Sequence, residues 1–286
     1  MAEPTHYDVA YEINPWMKPA LWTAAAGPNR HAAEQAWSSL KSGLERCGAE
    51  VHAMPGAPGV PDLVFPANAA VVLDGKALLA RFRHPERAAE EPHYRRALQA
   101  LAASGVISEV IPAGPGFQEG AGDCLWDRAR GIFWVGSGPR SSAESCAVIA
   151  EAFGREVAHL PLATDRYYHL DTCFCPLSGG EILYYPPALT HEAKAALFAH
   201  TRADERMEAE DADAEAFSVN AVCLGRTVLM ARPPERLKAR LAERGYDVVG
   251  LHLAPFLLSG GGAFCMTLRL DLRSASAIMP RALAAA

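Results

Sequence analysis

The chain has 286 residues, 50% hydrophobic and 21% charged, with a formal net charge of −6, so it can bury a sizeable core and its length alone would permit two domains. The mild acidity, with no basic cluster, argues against a nucleic-acid surface, and no apolar run approaches the ~20 residues that span a bilayer. The opening MAEPTHYD lacks the basic stretch and apolar run of a secretory signal, so the seven cysteines read as reduced thiols in a cytoplasmic protein.

In chain order, the N-terminal segment predicts a strand near HYDVAYEI (residues 6–13), a helix over about 30–47 and a strand in AEVHAMPG (residues 49–56). Residues 69–112 then read AAVVL, Asp74-Gly75, KALLARF, a helical stretch and the apolar run VISEVI. Asp-Gly between two apolar runs signals a hairpin, because a type I′ turn needs positive φ at both central residues. The same order recurs in DCLWD, a turn at Arg128 to Arg130, GIFWVG, a helix over about 143–153 and EVAHLPL. A third unit runs DTCFCPL, Ser178-Gly179-Gly180, EILYYPP and a helix opening near Thr190. A fourth runs NAVCL, Gly225-Arg226, TVLMAR, the helix PPERLKARLAERG and YDVVGLHL, with prolines suited to a helix start and Gly245 to its end. The acidic run from Arg202 to Glu215 (RADERMEAEDADAE) reads as a solvated helix end and connecting loop. A fifth unit is split, with AFCMTLRLDL (residues 263–272) providing a C-terminal strand and the N-terminal segment the rest. Such repeats predict one α/β domain over residues 1–286. The architecture is a five-bladed α/β propeller of pseudo-fivefold strand-turn-strand-helix-strand units, with both chain ends closing the ring.

Polar residues recur at nearly even spacing near the starts of these units: Asn68, Glu119, His169 and Asn220, followed by Cys265. Equivalent points of a repeated unit can meet at one centre by rotation, and a thiol, an imidazole and a carboxylate together are the parts of a nucleophilic catalyst. Each also has a bland reading. A cysteine at a strand start is commonly a small buried hydrophobe, although Gly260, Gly261 and Gly262 before Cys265 let backbone approach a ligand closely. His169 beside Tyr167 and Tyr168 could be a satisfied structural histidine, but in a strand Asp171 would face the same side and set an anion beside a proton carrier. His169, Cys173 and Cys175 could offer metal ligands, yet no second Cys/His cluster with zinc-site spacing appears, and no metal is expected. Glu119 and Asp123 in EGAGD could form an ordinary Gly/Asp turn.

EGAGD, YYHLDTCFCPL and GGGAFCMTL, in this five-unit order, resemble the guanidine-modifying enzymes of the pentein superfamily: arginine deiminases, dimethylarginine dimethylaminohydrolases, glycine amidinotransferases and arginine dihydrolases. The resemblance covers essentially the whole chain and implies the five-bladed α/β propeller, or pentein fold. It implies Cys265 as nucleophile, His169 as general acid and base, and Glu119 as the partner carboxylate. The family's Glu-Gly-Gly-Asp motif is stretched here by one residue, which leaves Asp123 as the alternative to Glu119. Asp171 resembles a residue that binds guanidinium nitrogens, and Asp62 and Asn68, in PDLVFPAN, resemble a substrate-binding loop. Arg87 and Arg140 resemble the arginines that hold a substrate α-carboxylate. The loop with Ser259 would supply backbone acceptors, and Asn14, in YEINPWM, would lie near the substrate.

The implied chemistry is attack of a thiolate on the central carbon of a small guanidino substrate, with departure of an amine protonated by His169 and hydrolysis of a thiouronium on Cys265. Asn68 departs from the Asp typical of deiminases and dimethylaminohydrolases. A neutral amide suits a neutral ureido group, which points to a second hydrolysis giving ornithine, carbon dioxide and two ammonia molecules: the arginine dihydrolase pattern, which YEINPWM also resembles. Rival readings are dimethylarginine hydrolysis, amidino transfer and a non-catalytic binding factor of the same fold. No phosphate loop or dinucleotide fingerprint appears, so no organic cofactor is expected. The oligomeric state is left open, a homo-oligomer included.

Overall fold

A computed structural model describes residues 1–274, which form four three-stranded sheets. The first holds β1 (Ala70–Leu73), β2 (Lys76–Leu79) and β3 (Glu109–Ile111); the second holds β4 (Cys124–Asp127), β5 (Ile132–Ser137) and β6 (Val157–Pro161). The third holds β7 (Phe174–Pro176), β8 (Ile182–Tyr184) and β9 (Arg206–Glu208); the fourth holds β10 (Val222–Leu224), β11 (Thr227–Ala231) and β12 (Asp247–Leu251). In each, an antiparallel hairpin comes first and the third strand adds parallel to the second.

The hairpins follow local turn chemistry. Asp74 and Gly75 have φ of 53° and 80°, the two positive values that a type I′ turn demands, and they set Leu73 opposite Lys76. A parallel third strand needs a crossover, and helices Glu91–Ala103, Ser145–Phe153, His191–His200 and Glu235–Glu243 lie in those connections. Thr190 caps its helix by accepting the Ala193 N–H at 3.1 Å, and Gly245, at φ 78°, follows the end of another.

Successive sheets pack side by side. Val71, Leu73 and Leu78 of the first meet Cys124, Phe133 and Val135 of the second; Trp134 and Leu160 of the second meet Phe174 and Tyr184 of the third. Leu183 and Met207 of the third meet Val228 and Met230 of the fourth. The fourth is covered by helix Ala26–Arg46, whose Leu40 and Leu44 join Leu229 and Leu251. The helix lies close, since a Cβ on its Gly43 would come within 2.7 Å of Leu229 Cδ2. Cys265 and Met266 pack in this last cluster, while Leu268 and Leu270 pack beside Ala70, Val72 and Leu79, so the C-terminal segment touches both the fourth and the first sheet. Among the described residues no helix is long and apolar enough to cross a membrane.

Three expectations need correction. The fifth unit forms no sheet among the described residues: residues 263–272 are turns and irregular chain, and the N-terminal region contributes only an isolated bridge between Ala2 and Met54. The cause lies near Cys265, where the N–H groups of Phe264 and Cys265 go to the Asn220 side chain at 2.9 and 3.3 Å instead of to a neighbouring strand. The acidic run is also more ordered than a loop. It contains β9, anchored by the fully buried Met207, and the helix Asp211–Glu215. Finally, His169 and Asp171 do not share a strand, because Leu170–Thr172 is a 3-10 turn that follows His169.

Candidate active site

The recurring polar residues occupy equivalent places, each on the turn that leads into the first strand of a sheet. Asn68 lies in the 3-10 turn Pro66–Ala69 before β1, Glu119 precedes the turn Gly120–Gly122 before β4, His169 precedes Leu170–Thr172 before β7, and Asn220 stands just ahead of β10. Cys265 follows the glycine run 260–262. These turns bring the side chains together: Cys265 and Asp171 are each 2% exposed, and His169 and Glu119 are fully buried.

Cys265 Sγ donates to Asp171 Oδ2 at 3.3 Å and accepts from Asn220 Nδ2 at 3.1 Å. Burial, with the adjacent Asp171 carboxylate, holds the thiol well above its ordinary pKa. Burial likewise raises Asp171 to about 7, against the opposing pull of His169 and the bond from Cys265. This pair is therefore poised to carry a proton in the unliganded protein.

His169 Nε2 lies 2.8 Å from Glu119 Oε2. Glu119 also accepts from the Arg83 backbone N–H at 3.0 Å and from Arg140 Nη1 at 3.1 Å. Burial alone would raise this carboxyl, but Arg140 and His169 outweigh it and hold Glu119 well below the usual carboxylate range. An ionised Glu119 makes Nε2 the donor, which leaves Nδ1 as the atom that gives or takes a proton. No direct hydrogen bond joins Cys265 to His169 among the described residues; Asp171 bonds the sulfur and feels the charge of the imidazole.

Asn68 is held at both ends. Its Oδ1 accepts from Arg87 Nη1 at 2.7 Å and its Nδ2 donates to Glu119 O at 3.1 Å. Arg87 forks onto both oxygens of Glu90, at 2.8 and 2.7 Å, and reaches Asp62 O at 3.3 Å. Burial lifts Glu90 to about 7 despite Arg87, and raises Asp62 as well. The turn is close to this amide, since a Cβ on Gly122 would sit 2.2 Å from Asn68 Nδ2 and 3.3 Å from the His169 ring.

The N-terminal segment covers the cluster. Tyr11 donates to Asp62 Oδ2 at 3.0 Å, Arg140 Nη2 donates to Ile13 O at 3.0 Å, and Asn14 Nδ2 donates to Ser259 O at 3.1 Å. Asn14 Oδ1 caps the Trp16 N–H, so this side chain clasps two segments. Ser259 uses its hydroxyl on Tyr7 and Phe256 O, and Gly260 O accepts from Tyr168, over whose ring Arg140 is stacked at 4.6 Å.

Of the paired carboxylates, Asp123 has both oxygens engaged, by Ser141 Oγ at 2.6 Å and Leu170 N–H at 2.9 Å, so it shapes the turn while Glu119 meets the imidazole. The sulfurs of Cys173 and Cys175 bond the carbonyls of Leu170 and Ala221, apart from His169. Among the described residues no group of three His, Cys, Asp or Glu side chains is arranged to hold a metal. Asn220, Glu90 and Tyr11 belong to the site without having been assigned roles from sequence. Asn220 carried a signal in its recurrence, and Glu90 in its spacing of three from Arg87. Four buried polar atoms here have no partner in the protein: Asp62 Oδ1, Asp171 Oδ1, His169 Nδ1 and Arg140 Nε. Of these, Asp171 Oδ1 belongs to the carboxylate whose other oxygen accepts from the Cys265 thiol.

Comparison with known proteins agrees with this chemistry. Residues 22–272 match the family described as N,N dimethylarginine dimethylhydrolase, eukaryotic. The chain is 40% identical over 270 residues to the bifunctional arginine dihydrolase/ornithine cyclodeaminase ArgZ of Synechocystis sp., covering 94% of this chain and 37% of ArgZ. It therefore spans little more than a third of that relative's length. It is 33% identical over 270 residues to the N(G),N(G)-dimethylarginine dimethylaminohydrolase of Mycobacterium tuberculosis, covering 94% of this chain and 84% of that protein. It superposes with a TM-score of 0.90 on the crystal structure of the N-terminal domain of ArgZ, an arginine dihydrolase from cyanobacteria, in a substrate-bound mutant, at 38% identity over 96% of this chain and 98% of that one. The chain belongs to the guanidine-modifying enzymes of the pentein superfamily, in the dimethylarginine dimethylaminohydrolase family and near the arginine dihydrolase branch.

Proposed function

We propose that this chain is an arginine dihydrolase: one α/β propeller domain, its fifth unit split between the two chain ends and without a sheet of its own among the described residues, that hydrolyses arginine twice, to ornithine, carbon dioxide and two ammonia molecules. Two buried carboxylates, Asp62 and Asp171, each with one oxygen left without a protein partner, carry the proposal. Carboxylates pair with the N–H groups of a planar cation in fork geometry, and a guanidinium paired with Asp171 would lie against Cys265. Its charge favours the ionised forms of both Asp171 and the thiol, reversing the effect of burial.

In the first round the Cys265 sulfur bonds to the guanidinium carbon. His169 protonates the departing nitrogen, which leaves as ammonia and not as an amide ion. The same imidazole takes a proton from the water that attacks the thiouronium, and the thiolate departs, leaving a citrulline-like urea. Arg87 occupies the Asn68 carbonyl and Glu119 O accepts from its Nδ2, so the amide has a donor to spare but no charge. A donor suits the ureido oxygen, and the absence of an anion lets the neutral first product remain for the second round. Arg140, with Nε unpartnered, is the cation for the substrate α-carboxylate, whereas Arg87 is committed to Glu90 and Asn68. The arginine dihydrolase activity named for ArgZ supports the reading.

Incubation of the purified chain with L-arginine should release two ammonia per ornithine; citrulline as the sole product would remove the second hydrolysis. The family match favours one other reading, release of dimethylamine from dimethylarginine, which a parallel incubation with that substrate distinguishes.

A further inference from the structure

Asn220 uses its whole carboxamide within the protein. Its Nδ2 donates to Cys265 Sγ and to Asp171 O, both at 3.1 Å, and its Oδ1 accepts from the N–H groups of Phe264 at 2.9 Å and Cys265 at 3.3 Å. A carboxamide has two N–H donors and two acceptor sites, so nothing remains to offer a substrate. The residue is fully buried and is gripped from behind: a Cβ on Gly262 would fall 2.6 Å from its Oδ1. One side chain thus ties the nucleophile's sulfur and backbone to the backbone of Asp171, the residue whose carboxylate accepts the thiol's hydrogen bond.

We propose that Asn220 is the positioning residue of the nucleophile: it fixes Cys265 against Asp171 and supplies an N–H donor to the sulfur when the thiolate forms. An aspartate of the same shape could hold the two backbone amides equally well. It would lose the donor to sulfur and set an anion beside the thiolate. Only the amide serves both the loop and the reacting atom. The other titratable groups facing the sulfur are Asp171, which disfavours its ionisation, and Tyr168. Hydrogen bonding from the backbone at Gly262 works in the same direction as Asn220.

This inference rests on Cys265 being the nucleophile, but not on the identity of the substrate, and its test reads the thiol and not turnover. Iodoacetamide labelling of Cys265, followed by peptide mass spectrometry across pH, is compared in wild type, Asn220→Asp and Gly262→Ala, with half-buried Cys47 as internal control. A hydrogen bond to a charged group holds a pKa by about one to two units, so Asn220→Asp should move the Cys265 profile up by at least about one unit and slow labelling near neutral pH roughly tenfold or more. Gly262→Ala, which retains Asn220 and displaces it, should shift the profile in the same direction, with Cys47 unchanged in both. Wild-type Cys265 profiles in folded variants overturn the proposal. If Asn220→Asp does not fold, Gly262→Ala decides, and loss of fold in both overturns it in favour of a purely structural role. A shifted profile in a chain that does not turn over arginine leaves this inference standing and removes the dihydrolase reading.

Discussion

Arg87 Nη1 donates to Asn68 Oδ1 at 2.7 Å, and this contact decides what Asn68 can present to a ligand. With the carbonyl engaged, the amide cannot turn to accept from a guanidinium. In Asn68→Asp an anion faces Arg87, and the donor to Glu119 O is lost. The variant should bind the cationic substrate yet release the neutral urea, so product should shift from ornithine towards citrulline. The ornithine-to-citrulline ratio is the measurement. An unchanged ratio means that this residue does not control the second step.

Glu90 is expected to matter through the same contact. It is fully buried and takes both Nε and Nη2 of Arg87, so Glu90→Gln leaves a buried guanidinium without its counter-ion. Removing one member of a buried pair costs about 3–5 kcal/mol. Denaturant unfolding should show that loss, and the surviving folded enzyme should leak citrulline because Asn68 is no longer pinned. Wild-type stability together with wild-type product would contradict the role given to this pair.

Glu119→Gln separates charge from shape. The glutamine can still bond His169, but it cannot hold an imidazolium as a carboxylate does, and turnover should fall by roughly 10²–10⁴, the usual worth of acid–base help. Acid stability adds a second readout. Because Glu119 titrates well below the ordinary carboxylate range when folded, its stabilisation is present above the unfolded pKa and disappears as pH falls through the depressed folded value. The glutamine variant should be less stable at neutral pH and lose this part of the acid transition. Parallel acid-unfolding curves of wild type and variant would count against it.

How much of this could be read from the sequence depends on how local each cause is. The Asp74-Gly75 hairpin, the Thr190 cap and the helix-terminating Gly245 were legible because two or three neighbouring residues determine them. The equivalent placement of Asn68, Glu119, His169 and Asn220 ahead of successive sheets was legible in their recurrence. The missing fifth sheet was not, since residues 263–272 alternate like a strand while their first amides are taken by Asn220, 45 residues away along the chain for Cys265. β9 was hidden because a single apolar residue, Met207, anchors an otherwise charged run. Glu90 and Tyr11 could not be assigned roles because each acts on a partner that only the tertiary fold brings near.

Asp171 carries the clearest conflict between stability and activity. Burial raises its pKa to about 7, so below that value the folded protein binds a proton that the unfolded chain has already released. The sign follows: the unfolded state holds fewer protons between the ordinary carboxylate value and about 7, and stability falls as pH rises through that window. Asp171→Asn removes the titration while keeping an oxygen for the Cys265 thiol. The variant should therefore gain stability relative to wild type at pH above 7, on the order of 4 kcal/mol, and the gain should shrink towards pH 4. Its activity should collapse, because the anion that pairs with the guanidinium is gone. Melting temperatures of both proteins across that pH range, with arginine turnover measured alongside, make the check. A variant that is equally destabilised at every pH would show that Asp171 is held ionised by its surroundings, and the proton-carrying pair with Cys265 would have to be abandoned.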